Sequence, residues 1–263
     1  MGETVLRGVR PWLAALLGVG LAACGAVTDD AIAPASPRAG GPAVATDATG
    51  TPARHGNDEA GARVGGPAIA TDAPAEGPGA LVVALGDSLT AGLGLDVDDA
   101  YPSRLEGMLR AEGYAVTVRN AGVSGDTSAA GLARAEWALD GDVRILILAL
   151  GGNDGLRGLP ADQLKRNVSG ILALAAERGV RVLLAGMEAP PNFGAAYTAE
   201  FRAVFHDLAR EHDVAFMPFL LDGVAADPAL NQRDGIHPNA AGAAIVAARV
   251  RDALEPLLPA LVP

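Results

Sequence analysis

Hydrophobic residues recur at two different spacings beyond residue 79 of the chain. Short apolar runs, which are typical of strands, alternate with longer segments in which apolar residues return every three or four positions, as on one face of a helix. The run RILILAL at 144–150 is almost continuously apolar, which is typical of a parallel strand buried on both faces. We predict five strands, at 81–85, 115–119, 144–150, 181–185 and 214–217.

The segments between and after these strands contain helical stripes. The apolar residues of each stripe lie on one face of a helix and are expected to pack against the sheet. The stripes are Leu164, Val168, Ile171, Leu172 and Ala175; Tyr197, Phe201, Val204, Phe205 and Leu208; and Ala243, Val246, Val250, Ala253 and Leu254. Because strands that alternate with helices form a parallel sheet covered on both faces, the sequence predicts one α/β domain over residues 80–263. We also expect Trp137 to pack within this domain.

The first 23 residues have the layout of an export signal. Arg7 and Arg10 precede an apolar stretch, 12–23, that is short for a membrane span. Its end, followed by Cys24, reads LAAC and resembles the lipobox of bacterial lipoproteins, in which the cysteine is acylated and becomes the mature N-terminus. An ordinary cleavage site beside an incidental cysteine is the alternative. We predict a lipoprotein signal peptide at 1–23 and lipidation of Cys24, the only cysteine of the chain.

Residues 24–79 are poor in large apolar side chains. The segment is mostly Ala, Gly, Pro, Thr and Asp, and such a composition buries too little apolar surface to offset the entropy of ordering. We therefore predict that the lipidated cysteine is followed by a disordered tether. Together with the signal peptide, this tether predicts an exported protein with a lipid anchor in the bacterial envelope. The periplasmic side is expected, and the outer membrane is favoured if the organism is Gram-negative.

Charge and composition exclude several classes of function. The formal net charge is −11 and Lys and Arg are not clustered, which argues against a nucleic-acid-binding surface. The four histidines are scattered and there is one cysteine, so the spacing of a metal site is missing. We predict no metal, no nucleic-acid partner and no obligate protein partner.

Four polar, glycine-containing segments are candidates for the functional site. They are GDSLT at 86–90, NAGVSGDT at 120–127, GGNDGLRG at 151–158 and DGIHPN at 234–239. The first three directly follow predicted strands, and the fourth precedes the last helix. Ligands of open parallel sheets bind beyond the carboxyl ends of the strands. We therefore expect the four segments to meet at one rim of the sheet.

Two of these segments contain the groups that a serine nucleophile needs. The hydroxyl of Ser88 becomes reactive only when a base removes its proton. His237 and Asp234 are three residues apart, which lets the carboxylate hold one ring nitrogen while the other faces Ser88. The alternatives are turn chemistry for Ser88 and helix capping for Asp234. We expect the Asp87 side chain to serve the turn rather than the triad.

The same rim offers hydrogen-bond donors for the oxyanion that forms when an ester carbonyl is attacked. The expected donors are the backbone N–H groups of Ser88 and Gly122 and the side-chain amide of Asn153. Simple turn geometry is the alternative explanation for Gly122. We expect Asp126 to cap the next helix and Asp154 to orient the GGND loop.

Taken together, the four segments closely resemble the sequence blocks of the GDSL, or SGNH, hydrolases. The stretches SGDTSAAGLAR at 124–134, PPNFGAAY at 190–197 and QRDGIHPN at 232–239 are similar to the bacterial periplasmic thioesterase, arylesterase and lysophospholipase subgroup. The resemblance implies a flavodoxin-like three-layer sandwich with a five-stranded parallel sheet. It also implies Ser88 as nucleophile, His237 as base, Asp234 as its partner, an oxyanion hole of Ser88, Gly122 and Asn153, and no metal or organic cofactor.

The resulting hypothesis is a serine esterase that cleaves carboxylic esters or thioesters through an acyl-enzyme on Ser88. Expected substrates are small acyl esters or lipids, such as short-to-medium acyl esters and lysophospholipids. We expect the PPNFGAAY segment, with Met187 and Glu188, to form a loop over the acyl pocket. The alternatives are a carbohydrate deacetylase or acyltransferase that uses the same triad, and a non-catalytic lipoprotein.

Overall fold

A five-stranded parallel sheet forms the centre of the computed structural model, which describes residues 79–262. Residues 1–78, which include the predicted signal peptide, Cys24 and nearly all of the predicted tether, lie outside the described residues. The strands are β1 (Ala80–Gly86), β2 (Val116–Gly122), β3 (Val143–Ala149), β4 (Arg181–Ala185) and β5 (Ala215–Met217). All five predicted strands are present, and most of their ends differ from the predicted ends by a single residue.

Helices cover both faces of the sheet. They are α1 (Ser88–Ala91), α2 (Tyr101–Ala111), α3 (Ser128–Ala138), α4 (Gly152–Leu156), α5 (Ala161–Glu177), α6 (Ala195–Glu211) and α7 (Ala240–Ala253), with short 3₁₀ helices at Val97–Asp99, Pro191–Phe193 and Glu255–Leu261. Helix α2 packs against α7, and α5 packs against both α3 and α6. This arrangement confirms the predicted three-layer α/β sandwich. None of the helices within residues 79–262 is both long and apolar enough to cross a bilayer.

The core consists of the predicted strands and stripes. In β3 every residue from Ile145 to Ala149 is fully buried, as expected for a strand covered on both faces. The stripe of α5 is buried throughout, and that of α6 is buried from Phe201 onward. The expectation for Trp137 is wrong, because its side chain is 72% exposed. Helix α3 instead turns small residues toward the core, namely Ser128, Gly131, Ala135 and Ala138.

The strand order β2-β1-β3-β4-β5 places a topological switch point between β1 and β3. The chain leaves β1 toward β2 on one side of the sheet and later returns to β3 on the other side. Ser88 directly follows β1, and Asn153 lies just beyond the end of β3. Strand β2 extends to Gly122, further than predicted, because it stays in parallel register with β1 up to Gly86. The ends of three neighbouring strands therefore meet at the expected rim.

Candidate active site

Ser88 is the first residue of the short helix α1, directly after a tight turn at the end of β1. The Asp87 side chain forms this turn, because its Oδ1 accepts a hydrogen bond from the Leu89 N–H at 3.0 Å. Asp87 is only 1% exposed, whereas Ser88 is partly exposed at the rim. Turn chemistry and a nucleophile are therefore compatible here, because the aspartate serves the turn and leaves the serine hydroxyl free.

His237 and Asp234 lie in a loop that its own hydrogen bonds keep compact. Asp234 Oδ1 accepts from the backbone N–H groups of Ile236 at 2.9 Å and His237 at 3.0 Å. At the base of the loop, Asn231 and Pro238 form an isolated antiparallel bridge. These contacts turn the Asp234 carboxylate toward the imidazole three residues later.

The three side chains form one continuous chain of hydrogen bonds. Asp234 Oδ2 lies 2.7 Å from His237 Nδ1, and His237 Nε2 lies 2.8 Å from Ser88 Oγ. An ionised carboxylate only accepts hydrogen bonds, so Nδ1 carries the proton of the neutral ring and Nε2 is left as the acceptor. The imidazole is thus held in the tautomer that can take the proton of the serine hydroxyl.

The surroundings shift the pKa values of the two neighbouring aspartates in opposite directions. Burial raises the pKa of Asp87 to about 6, although the Leu89 N–H, His237 and Asn153 partly offset this effect. The pKa of Asp234 is lowered to about 2, first by the His237 backbone N–H and then by the Ile236 N–H and the imidazole. Asp234 therefore stays ionised beside His237 throughout the ordinary pH range.

The expected oxyanion donor Gly122 is already engaged. Its N–H donates to Asn120 Oδ1 at 2.9 Å, so this hydrogen does not face a substrate. A Cβ at residue 122 would overlap the backbone nitrogen of Ala91, so glycine is needed where β2 packs against α1. The glycine at this position thus has a packing role, and the assignment of its N–H as a free donor was wrong.

Gly125, three residues further along the same segment, is a better-placed donor. It is exposed at the rim with φ +88°, and a Cβ there would meet open space. Within residues 79–262 its N–H donates to no protein acceptor. The Asn153 side-chain amide donates to the carbonyl of the next residue, Asp126, at 3.0 Å, and more weakly to Asp87 Oδ2 at 3.3 Å. Sequence reasoning missed Gly125, because two glycines of one loop look equivalent before the strand end is known.

Arg134 holds the rim together from below. Its guanidinium donates to Asp126 Oδ2 at 2.7 Å, to the Ala121 carbonyl at 2.8 Å and to the Gly86 carbonyl at 2.9 Å. It therefore joins the ends of β1 and β2 to the loop that carries Gly125. The expectation that Asp126 caps α3 is wrong, since Thr127 is the N-cap and Asp126 pairs with Arg134. In the sequence, Arg134 is only the last residue of the family-like stretch 124–134, and nothing there indicates its contacts.

Asp154 connects the GGND loop to α3, as its expected orienting role requires. It is 1% exposed, and its two carboxylate oxygens accept from the Ser128 N–H at 2.8 Å and the Ser128 hydroxyl at 2.6 Å. The Asn167 side chain donates to the same hydroxyl at 2.9 Å. This buried network fixes the backbone next to Asn153.

Comparison with known proteins identifies the family. Residues 84–245 match the GDSL-like Lipase/Acylhydrolase family. The chain belongs to this family. It is 40% identical over 178 residues to Esterase TesA of Pseudomonas aeruginosa, covering 67% of this chain and 89% of the relative. It is 36% identical to Thioesterase 1/protease 1/lysophospholipase L1 of Escherichia coli K12, covering 67% of this chain and 84% of the relative.

Solved structures of GDSL hydrolases agree with this assignment. The crystal structure of TesA superposes with a TM-score of 0.65 at 39% sequence identity, over 67% of this chain and 99% of that one. The SGNH-hydrolase family esterase AlinE4 superposes with a TM-score of 0.59 at 42% identity, over 72% of this chain and 100% of that one. The predicted SGNH hydrolase fold is confirmed.

The PPNFGAAY segment of this GDSL hydrolase packs on the loop that follows Asn153. Phe193 lies against Gly158, where a Cβ would come 2.5 Å from the ring, and the Tyr197 hydroxyl donates to the Leu159 carbonyl at 2.7 Å. Glu188 forms a two-point ion pair with Arg202 of α6. Met187 is 3% exposed and belongs to the hydrophobic core.

A small recess adjoins Ser88 and His237. Its volume is about 10 Å³, enough for one water-sized group. Besides Ser88 and His237 it is lined mainly by apolar residues, among them Leu93, Leu95, Tyr101, Leu220 and Val246. Among residues 79–262, no cluster of three or more His, Cys, Asp or Glu side chains has the arrangement of a metal site.

Proposed function

We propose that this GDSL hydrolase is a serine esterase that cleaves acyl esters through an acyl-enzyme on Ser88. The observation that carries the proposal is the unbroken chain from Asp234 through His237 to Ser88, with distances of 2.7 and 2.8 Å. The family and the named activities of its relatives support ester hydrolysis.

In the first step, Ser88 Oγ attacks the ester carbonyl carbon while its proton passes to His237 Nε2. The new C–O bond turns the carbonyl oxygen into an oxyanion, which needs donors already in place. We assign this role to the Ser88 N–H, the Gly125 N–H and the Asn153 amide. The oxyanion takes over the amide hydrogen that otherwise forms the long 3.3 Å contact with Asp87.

The tetrahedral intermediate then collapses. The bond to the alcohol oxygen breaks, and the alcohol leaves with the proton from His237 Nε2, while the acyl group stays on Ser88. A water molecule repeats the sequence, giving its proton to Nε2 and its oxygen to the acyl carbon. The carboxylic acid is released and the hydroxyl of Ser88 regains its proton.

Exposed apolar side chains around the rim favour an acyl substrate. Leu93, Leu156 and Ile236 are 47%, 45% and 41% exposed. Leu93 lies in the loop after α1, Leu156 is the last residue of α4, and Ile236 directly precedes His237. Such side chains can cover a hydrocarbon chain once it leaves water. We infer short-to-medium acyl esters and lysophospholipids as the substrate class, with acyl thioesters as a further group to be compared.

A hydrolysis panel tests the proposed function. Purified protein would be given p-nitrophenyl esters of increasing acyl length, a lysophospholipid, an acyl thioester and an acetylated polysaccharide, each in parallel with Ser88→Ala. We expect turnover of acyl esters by the wild type and none above background by the variant. Preferential release of acetate from the polysaccharide would instead favour a carbohydrate deacetylase.

We also propose that Cys24 is lipidated and that the protein is anchored in the bacterial envelope. The support is the LAAC sequence at the end of an export signal and the composition of the segment that follows it. In a bacterial host, the full chain should fractionate with membranes and require detergent for release. A Cys24→Ala variant should shift away from the membrane fraction, and an unchanged distribution would contradict the anchor.

A further inference from the structure

Gln232 connects the two loops that carry the catalytic pair. Its side-chain Nε2 donates to the Leu93 carbonyl at 2.7 Å and to the Pro238 carbonyl at 3.0 Å. Leu93 is five residues after Ser88, and Pro238 directly follows His237. One amide nitrogen therefore contacts both the serine loop and the histidine loop.

The backbone of Gln232 fixes the histidine loop from within. Its N–H donates to the His237 carbonyl at 2.7 Å, and its own carbonyl accepts from the Gly235 N–H at 3.0 Å. Between segments 86–96 and 229–239, the described side chains make two hydrogen-bonding contacts, His237 to Ser88 and Gln232 to Leu93. The hydrogen bond from Gln232 to Leu93 therefore links the two segments next to the contact between His237 and Ser88.

The oxygen side of the Gln232 amide lies close to Gly94 of the serine loop. A Cβ at residue 94 would overlap Gln232 Oε1, so Gly94 lets the amide lie directly against the serine loop. Gly94 has φ +78°, a conformation that favours glycine. Only a side chain with two hydrogens on one terminal nitrogen and this length can satisfy both carbonyls here.

We propose that Gln232 is a positioning residue that sets the distance and direction between His237 Nε2 and Ser88 Oγ. This inference rests on the proposed function. The Gln232 side chain makes no hydrogen bond to Ser88 Oγ or to the ring of His237, and it acts by holding their loops together. Small displacements of reacting groups have large kinetic effects, about 100-fold in rate for a shift near 1 Å.

The main test compares Gln232→Glu with wild type. Glutamate has the same length, but an ionised carboxylate offers no hydrogens and faces two carbonyl oxygens. On a p-nitrophenyl ester we expect kcat to fall by about 10- to 100-fold while KM stays within about twofold, because the loss is in transition-state geometry. The rate at which a neutral phosphonate modifies Ser88 should fall in the same proportion. Gln163→Glu, at the only other glutamine, is the matched control and should change neither rate.

A second pair of variants keeps the test decisive if Gln232→Glu folds poorly. Gly94→Ala pushes a Cβ into the Gln232 amide, whereas Gly113→Ala has a similarly positive φ of +93° but meets no atom within 4 Å. We expect a clearly larger loss of kcat for Gly94→Ala than for Gly113→Ala at an equal folded fraction.

The inference fails if kcat of Gln232→Glu stays within twofold of wild type, or if its loss only follows the fraction of unfolded protein. Equal effects of Gly94→Ala and Gly113→Ala on kcat would also contradict it. Either result leaves the proposed function standing as long as Ser88→Ala is inactive. An active Ser88→Ala would reject the proposed function itself.

Discussion

The two aspartates nearest the catalytic pair have opposite surroundings. Asp87, beside Ser88, is 1% exposed and part of the core, whereas the Asp234 side chain is 44% exposed in a surface loop. Burial raises the pKa of Asp87 to about 6, while hydrogen bonds lower the pKa of Asp234 to about 2. The serine is therefore positioned mainly by core packing, and the histidine is positioned mainly by a few hydrogen bonds.

Because of this difference, we expect substitutions on the two sides of the rim to affect stability and catalysis differently. Changes on the serine side affect the core and the free energy of unfolding together with activity. Changes on the histidine side reach few buried contacts, so they should mainly lower the rate. The pattern also assigns the two carboxylates, since environments that push pKa values apart mark different roles. In the proposed mechanism Asp234 is the charged partner of the base, whereas Asp87 builds the turn.

The largest expected effect comes from Asp234→Asn. The amide can still accept from the loop N–H groups with its oxygen, but its NH₂ then faces His237 Nδ1. The ring is forced to protonate Nε2, which cannot accept the Ser88 proton, so we expect kcat to fall by about 10³- to 10⁴-fold.

The Asp234→Asn measurement is steady-state hydrolysis of a p-nitrophenyl ester, with the thermal unfolding midpoint recorded alongside. Asp142→Asn, at a side chain that is 81% exposed beside Arg144, is the control and should retain wild-type kcat. If Asp234→Asn kept more than a tenth of wild-type kcat, the result would contradict the claim that Asp234 on the histidine side controls the rate.

The next effect is a pH dependence of stability at Asp87. The native pKa of about 6 exceeds the ordinary value of 3.8, so the native state holds a proton that the unfolded chain has lost. Stability from this group is present at low pH and falls as pH rises through that window, by a total on the order of 3 kcal/mol. Asp87→Asn carries no charge and should lack this fall.

Chemical unfolding of wild type and Asp87→Asn from about pH 4 to pH 7 measures this difference. The free energy of unfolding of wild type should decrease relative to that of the variant as pH rises. Asp142→Asn provides the baseline for an exposed carboxylate. If the free energies of unfolding of wild type and Asp87→Asn changed in parallel with pH, burial would not be raising the pKa of Asp87.

The smallest of the three effects is Gly86→Ala, on the serine side. A Cβ there would overlap Thr90 Oγ1 and lie 2.8 Å from the Ala149 carbonyl, both in the core. We expect a loss of about 1 to 3 kcal/mol in the free energy of unfolding, because the packed turn must shift. Gly107→Ala on α2 meets nothing within 4 Å and should stabilise by about 0.5 to 1 kcal/mol. Similar unfolding midpoints for the two variants would contradict tight packing around the serine turn.

Much of the fold follows from hydrophobic periodicity, because buried strands and helix stripes leave patterns that are local in sequence. The α5 stripe from Leu164 to Ala175 and the continuous run of β3 are both buried as expected. Trp137 was misplaced because the core face of α3 is made of small residues, which give no apolar stripe. At 100° per residue, Trp137 lies off the line of Gly131, Ala135 and Ala138.

The residues of the site can be predicted from the sequence where a motif and its chemistry agree. They are harder to predict where the choice depends on the three-dimensional structure. Ser88, His237 and Asp234 lie in hydrogen-bond contact, as predicted from the three-residue spacing of Asp234 and His237 and from the shared rim of their segments. The choice between Gly122 and Gly125 depends on where β2 ends and on which N–H already has an acceptor. The braces at Arg134 and Gln232 depend on contacts distant in sequence, which one chain without its fold does not show.

The most direct test of the account is covalent labelling of the intact protein with a fluorophosphonate, followed by mass spectrometry of the modified peptide. Only a hydroxyl activated by a neighbouring base reacts quickly with such a reagent. We predict one phosphonyl group per molecule, located on Ser88, with labelling abolished in Ser88→Ala and strongly slowed in His237→Ala. Equal labelling of wild type and Ser88→Ala would contradict the assignment of Ser88 as the nucleophile.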